Sequence, residues 1–220
     1  MTTQHPGIAD IKVILWDFGG VFTGSPFHGV DDYAEELGIA VEELTRLVLG
    51  YGLPNGDHPW HRLERGEVTM EEAALECVKK VEDAGVTGFD LKNFFKAISG
   101  RSEHADEMYK GVRKFKALGL RQIIVSNNFR EFSGIWKTML PKGLFDDIID
   151  SSQVGVRKPD PAIFHLALEA GGAPPSRTAF LDDYEEHVDV ANSMGIHGIL
   201  VGKDPTEALA ELEVMVRDQL

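Results

Sequence analysis

Four short stretches hold residue types that could do chemistry together: Asp17-Phe18-Gly19-Gly20-Val21, Ser126-Asn127-Asn128, Val156-Arg157-Lys158-Pro159-Asp160 and Phe180-Leu181-Asp182-Asp183. Three carboxylates, Asp17, Asp182 and Asp183, would repel one another if crowded without a cation. A like-charge pair at about 4 Å costs up to roughly 4 kcal/mol at an effective dielectric of about 20. A divalent metal removes that penalty, and all-oxygen coordination with few protein ligands suits Mg2+. Lys158 adds a point charge that can bind a phosphate and keep Asp17 ionised, as a nucleophile must be. Ser126 offers a hydroxyl to a phosphoryl oxygen, with backbone amides beside it.

The elements around these stretches place them at one edge of a sheet. Ile11–Trp16 reads as a strand buried on both faces, with Asp17 at its carboxyl end, where open α/β sheets put their sites. Gly19-Gly20 then lets the backbone approach a ligand closely. Arg121–Val125 is a β-branched strand leading into Ser126, and Thr178–Leu181 is one leading into Asp182-Asp183, which open a helix running to Met194. Strands near Ile148–Ile149 and at His197–Val201 bring the number to five, alternating with helices. The latter include one across Phe132–Met139, one capped by Asp160-Pro161 and a last one with Leu209, Leu212 and Val216 on its apolar face. Such alternation implies right-handed crossovers and a parallel sheet covered on both sides.

Between strand one and the remainder, the chain reads as helical. Asp31–Leu37 and Val41–Leu49 are amphipathic, and Thr69 with Glu72 forms a capping-box signature. It opens a helix whose Ala74, Cys77, Val78 and Val81 share one face, a spacing that Leu91, Phe94, Phe95 and Ile98 repeat. The expected architecture is therefore α/β: a doubly wound parallel-sheet core, residues 1–22 and 100–220, with a helical cap, 23–99, inserted at the active-site end. Within the cap, Trp60 reads as packing first and substrate contact second, and His61 is a further candidate substrate contact.

Composition excludes several classes. The net charge of -14 over 220 residues would repel nucleic acid and anionic membranes alike, and no Lys/Arg run offsets it. No stretch approaches a membrane span or a signal-peptide core, so a cytoplasmic protein is expected. The single cysteine, Cys77, lies in an apolar helical pattern and reads as a buried inert thiol. The histidines lack zinc-site spacing, and Glu185-Glu186 reads as a solvated helix face.

The four stretches, in this order, resemble the haloacid dehalogenase (HAD) superfamily, whose members are mainly aspartate-nucleophile phosphohydrolases. The Phe-Gly-Gly-Val form of the first motif, Val-Arg-Lys-Pro-Asp-Pro and Phe-Leu-Asp-Asp resemble the branch containing the amino-terminal domains of soluble epoxide hydrolase and of acyl-CoA dehydrogenase-like fusions. The resemblance implies that Asp17 is nucleophile and metal ligand, that the Gly19 carbonyl and Asp183 with Asp182 complete an Mg2+ site, and that Ser126 and Lys158 hold the phosphoryl group. Asn127 is implied as a substrate contact. The implied reaction is hydrolysis of a small phosphorylated metabolite through an aspartyl-phosphate.

One position departs from that pattern. The usual phosphatase motif carries a second aspartate two residues after the nucleophile, as general acid and base, and here Gly19 has no side chain. General acid–base help is typically worth about 10²–10⁴-fold. A cap residue (His28, His61 or Glu64) or water could replace it, or the leaving group could need little protonation, as in a sugar 1-phosphate or acyl phosphate. Alternatively the reaction is not phosphate-ester hydrolysis: C–halogen hydrolysis on the same aspartate, or metabolite binding without turnover. Dehalogenation needs no metal, so the Asp182-Asp183 pair argues against it. Phosphonate cleavage is poorly served by Lys79 and Lys80, and a mutase by Gly19.

Overall fold

The computed structural model describes residues 10–24, 30–98 and 104–217. Five strands, β1 (Val13–Trp16), β2 (Arg121–Ser126), β3 (Asp147–Asp150), β4 (Thr178–Asp182) and β5 (His197–Leu200), form one sheet in the order β3-β2-β1-β4-β5. All neighbours are parallel. The expected parallel α/β core is thus present. Pairing of β1 starts at Val13 rather than Ile11, although the Lys12 N–H already donates to the Arg177 carbonyl and the Lys12 carbonyl accepts the Arg121 N–H.

Alternation along β1 sends its side chains to opposite faces. Ile14 and Trp16 join a cluster with Met108, Val112, Phe115 and Leu212, whereas Val13 and Leu15 pack with Ile163, Phe164, Ala167 and Ala191. Burial of β1 on both faces explains its unbroken apolar sequence. A third cluster draws on the helical segment alone for its buried residues, among them Leu44, Val48, Trp60, Leu63, Cys77, Val81 and Phe94. Thr69 and Glu72 make both bonds of the capping box that opens the helix Met70–Asp83. No helix among the described residues is long and apolar enough to cross a membrane.

Register sets the site. Trp16 pairs with Leu181 and with Ile124, so Asp17 leaves the sheet level with Asp182 and one residue short of Ser126. The Asp17 N–H still donates to the Leu181 carbonyl at 2.8 Å, which holds its backbone against β4. Two local expectations change. Strand β4 continues through Asp182, and the following helix begins only at Glu185, because the Asp182 carboxylate accepts the Tyr184 N–H at 2.8 Å and turns the chain first. A short helix at Ser151–Val154, absent from the sequence reading, is capped by Asp150 through the Ser152 N–H.

Candidate active site

Lys158 is the hub. Its side chain is wholly buried, with Nζ 2.7 Å from Asp17 Oδ1 and 2.6 Å from Asp182 Oδ2. Burial works against all three charges. It pushes the Asp17 carboxyl well above the usual range; Lys158 pulls that carboxyl back down, and the charges of Asp182 and Asp183 push it up further. For Asp182 the outcome reverses: Lys158 and then His187 outweigh burial and hold the carboxyl at about 2. Burial likewise opposes the Lys158 ammonium, but Asp17 and Asp182 raise it above its ordinary value, so it stays charged.

Asp17, Asp182 and Asp183 each offer an oxygen within 4.8 Å of the others. Three carboxyl groups share one ammonium, and the repulsion from Asp182 and Asp183 that helps to raise Asp17 is what a divalent cation would relieve. Asp182 is heavily engaged: besides Lys158 and the Tyr184 N–H, both of its oxygens lie 3.1 Å from His187 Nδ1. Those contacts occupy nearly all its acceptor sites, which makes Asp182 the anchor of the cluster. Asp183 owes its place to Gly20. That glycine has φ 72°, and a Cβ there would lie 1.9 Å from Asp183 Oδ2.

Asn127 is committed to Lys158. Its Oδ1 accepts the Lys158 N–H at 2.8 Å, and its Nδ2 donates to the Lys158 carbonyl at 3.0 Å. Ser126 ends β2, buried, with Oγ 3.4 Å from the Asn127 carbonyl. Behind this loop Asp150 accepts from Asn128 Nδ2, Ser133 Oγ and Ser152 Oγ, fastening the ends of β2 and β3 together. Gly19 contributes backbone only, and a Cβ added to it would have Asp17 Oδ2 as its nearest neighbour, at 4.0 Å.

A cavity of about 370 Å³, counting its open mouth, lies over Asp17, Gly19, Lys158 and Asp183. Tyr51 and Glu64 wall it from the helical segment, and Tyr184 and His187 from the sheet side. The rings of Tyr51 and Tyr184 are 4.7 Å apart, and the Gly52 N–H donates to Tyr184 Oη at 3.2 Å. Glu64 Oε2 accepts from buried Arg157 at 2.5 Å, and its Oε1 from Trp60 Nε1 at 3.0 Å. Burial, followed by the Glu64 and Asp183 charges, pushes the Tyr51 phenol well above its ordinary value, so it stays neutral.

The four motifs named from sequence therefore meet at one sheet edge, with Asp17, Asn127, Lys158, Gly19 and Asp183 around the cavity; Ser126 contacts Asn127 and Asp182 contacts Lys158, and neither lines it. Trp60 and His61 stand apart from its walls. Trp60 packs against Phe95 and Phe129, and His61 is locked between backbone groups, Nε2 donating to the Gly50 carbonyl at 3.1 Å and Nδ1 accepting the Gly56 N–H at 3.5 Å. His28 lies outside the described residues. Sequence reasoning passed over Tyr51, Tyr184 and His187. A histidine one turn into the helix after Asp182-Asp183 was the available signal for the last.

Comparison with known proteins agrees with this geometry. The chain is 30% identical over 214 residues to acyl-CoA dehydrogenase family member 10 of Mus musculus, covering 96% of this chain and 20% of that protein. It is 28% identical to bifunctional epoxide hydrolase 2 of Rattus norvegicus, covering 95% of this chain and 39% of that one. The chain thus spans well under half the length of either relative. Among solved structures, a HAD family enzyme of Bacteroides thetaiotaomicron in complex with magnesium and inorganic phosphate superposes with a TM-score of 0.56 at 20% identity, over 88% of this chain and 96% of that one. The profile of the haloacid dehalogenase-like hydrolases matches residues 11–195, and the chain belongs to that family of hydrolases.

Proposed function

We propose that the protein is a Mg2+-dependent phosphatase that acts on a small phosphorylated metabolite through an aspartyl-phosphate on Asp17. The observation that carries this reading is the buried bridge Asp17–Lys158–Asp182 at 2.7 and 2.6 Å, with Asp183 beside it and a cavity above. The donor set fits magnesium: Asp17, Asp183 and the Gly19 carbonyl would hold it, and Asp182 would steady Lys158. When bound, the ion neutralises phosphoryl oxygens and the surplus carboxylate charge. The phosphate and magnesium in the Bacteroides thetaiotaomicron enzyme support the same assignment.

In this reading, Asp17 attacks phosphorus in line, the leaving group departs and Asp17 carries the phosphoryl group. Lys158 balances charge on the phosphoryl oxygens, while Asn127 fixes the Lys158 backbone. Water then attacks phosphorus and frees Asp17. With no side chain at Gly19 and His61 held between backbone groups, leaving groups that are stable as anions are favoured. The net charge of -14 favours a small metabolite over nucleic acid or an anionic membrane as partner. Glu64, Tyr51 and Tyr184 would close the site from above and exclude bulk water.

The test is phosphate release from a panel of phosphorylated metabolites, with and without Mg2+, using Asp17→Asn as control. Metal-dependent release that the variant abolishes is expected. Halide release from haloacids without metal, and no phosphate release, would overturn the proposal in favour of dehalogenation.

A further inference from the structure

His187 has no role in the steps above, yet its surroundings are unusual. It is 3% exposed, and it walls the cavity that holds Asp17. Its Nδ1 faces both Asp182 oxygens at 3.1 Å, while its Nε2 is buried with no hydrogen-bond partner. Tyr184 packs against the ring at 4.9 Å and an interplanar angle of 80°. A carboxylate can only accept, so Nδ1 carries the hydrogen, and in the neutral ring the other nitrogen presents a lone pair. Leaving a buried acceptor unsatisfied is costly, so a partner is expected to arrive with the ligand.

The lone pair selects that partner. Phosphoryl oxygens would be repelled by it, whereas an O–H would be accepted. Resting on the phosphatase reading, we infer that His187 aligns the water that hydrolyses the aspartyl-phosphate, through a hydrogen bond from that water to Nε2. The water oxygen bonds to phosphorus as the bond from phosphorus to the Asp17 oxygen breaks. Asp17 keeps the bonding pair and returns to carboxylate, and both water hydrogens leave with the product as dihydrogen phosphate. In a loose phosphoryl-transfer transition state the attacking water needs direction more than deprotonation. Direction is what a side chain at Gly19 cannot give here.

Two substitutions separate this function from a structural one. His187→Asn keeps a donor near Nδ1 for Asp182 but removes the Nε2 acceptor, whereas His187→Gln carries an amide to about the Nε2 position. Rapid-quench kinetics with p-nitrophenyl phosphate and Mg2+ would follow p-nitrophenolate and labelled phosphate on the protein. For His187→Asn the expected result is a burst of one p-nitrophenolate per active site near the wild-type rate, then turnover slowed ~100-fold. Labelled phosphate accumulates on Asp17, and His187→Gln recovers part of the turnover.

Turnover of His187→Asn within about threefold of wild type would overturn the inference. So would a burst slowed as much as turnover, which would make His187 a substrate contact or a structural residue. Failure of the underlying reading looks different: wild type itself would give no metal-dependent, Asp17-dependent p-nitrophenolate, and the inference would fall with it.

Discussion

Asn127 and Lys158 exchange two hydrogen bonds, amide oxygen to backbone N–H at 2.8 Å and amide nitrogen to backbone carbonyl at 3.0 Å. The two residues come from loops after different strands, so this pairing fixes where the Lys158 side chain starts on its way to Asp17. Asn127→Ala is expected to lower kcat by ~10²-fold, because a small misplacement of a reacting group is that costly. It also strands two backbone groups of a buried residue, at about 1–3 kcal/mol each if water does not replace the amide. Kinetics and urea unfolding measure the two effects. Unchanged kcat would show that Lys158 is placed by other contacts.

Gly20 and Gly19 should respond oppositely to alanine. At Gly20 a Cβ would fall 1.9 Å from Asp183 Oδ2, and φ is 72°. Gly20→Ala must therefore push the Asp183 carboxylate out of the cluster, and a loss of at least ~10²-fold in activity is expected. Added Mg2+ should no longer raise its melting temperature. At Gly19 the nearest atom to such a Cβ would be 4.0 Å away, and Gly19→Ala should keep the metal-induced stabilisation. Equal behaviour of the two variants would contradict this account of the site.

Local signals made the site motifs readable from sequence. Val13–Trp16 is apolar without alternation because β1 is buried on both faces, and the carboxylate directly after it could only lie at the sheet edge. Lys158 could be tied to Asp17 and Asp182 because each motif follows a strand or precedes a helix. Contacts between distant residues had no such signal. Glu64 and Arg157 are 93 positions apart, and nothing local to either says that they meet. His187 sits beside exposed Glu185 and Glu186, so its burial depends on which helix face meets Asp182. Asn127 was expected at the substrate, but both ends of its amide are spent on the Lys158 backbone, a geometry set by loop conformation. Residue type alone could not separate His61 as a ligand from His61 as a packing residue.

That histidine and its neighbour His58 predict an acid weakness. Each ring donates to a backbone carbonyl, His58 to Leu47 and His61 to Gly50, and accepts a backbone N–H, from Trp60 and Gly56 respectively. Burial is the main cause that lowers them, to about 4 for His58 and about 3 for His61, and nearby cations add to it. The unfolded chain protonates near 6.5, so it binds more protons than the folded one below that pH. Stability is then intact above about 6.5 and lost as pH falls towards 4 and 3, by roughly 2 kcal/mol per histidine at about pH 5. Urea midpoints at neutral and mildly acidic pH measure it. His61→Gln should flatten the wild-type decline, and a wild-type midpoint constant between these pH values would refute the assignment.

Glu64 and Arg157 join the helical segment to the core through a buried pair, 2.5 Å between Nε and Oε2, with side chains 7% and 3% exposed. Desolvation offsets much of the attraction in such a pair, so its net contribution to stability is small even though each partner depends on the other. Glu64→Leu leaves an unpaired guanidinium, and Arg157→Met an unpaired carboxylate. Each single variant should lose about 3–5 kcal/mol in urea unfolding. The double variant, with no charge left to strand, should lose less than either. A sum of the two single losses in the double variant would mean that the residues act independently. Activity should part company with stability in that double variant: Glu64 walls the cavity beside Asp17, so turnover should stay low after the fold has recovered.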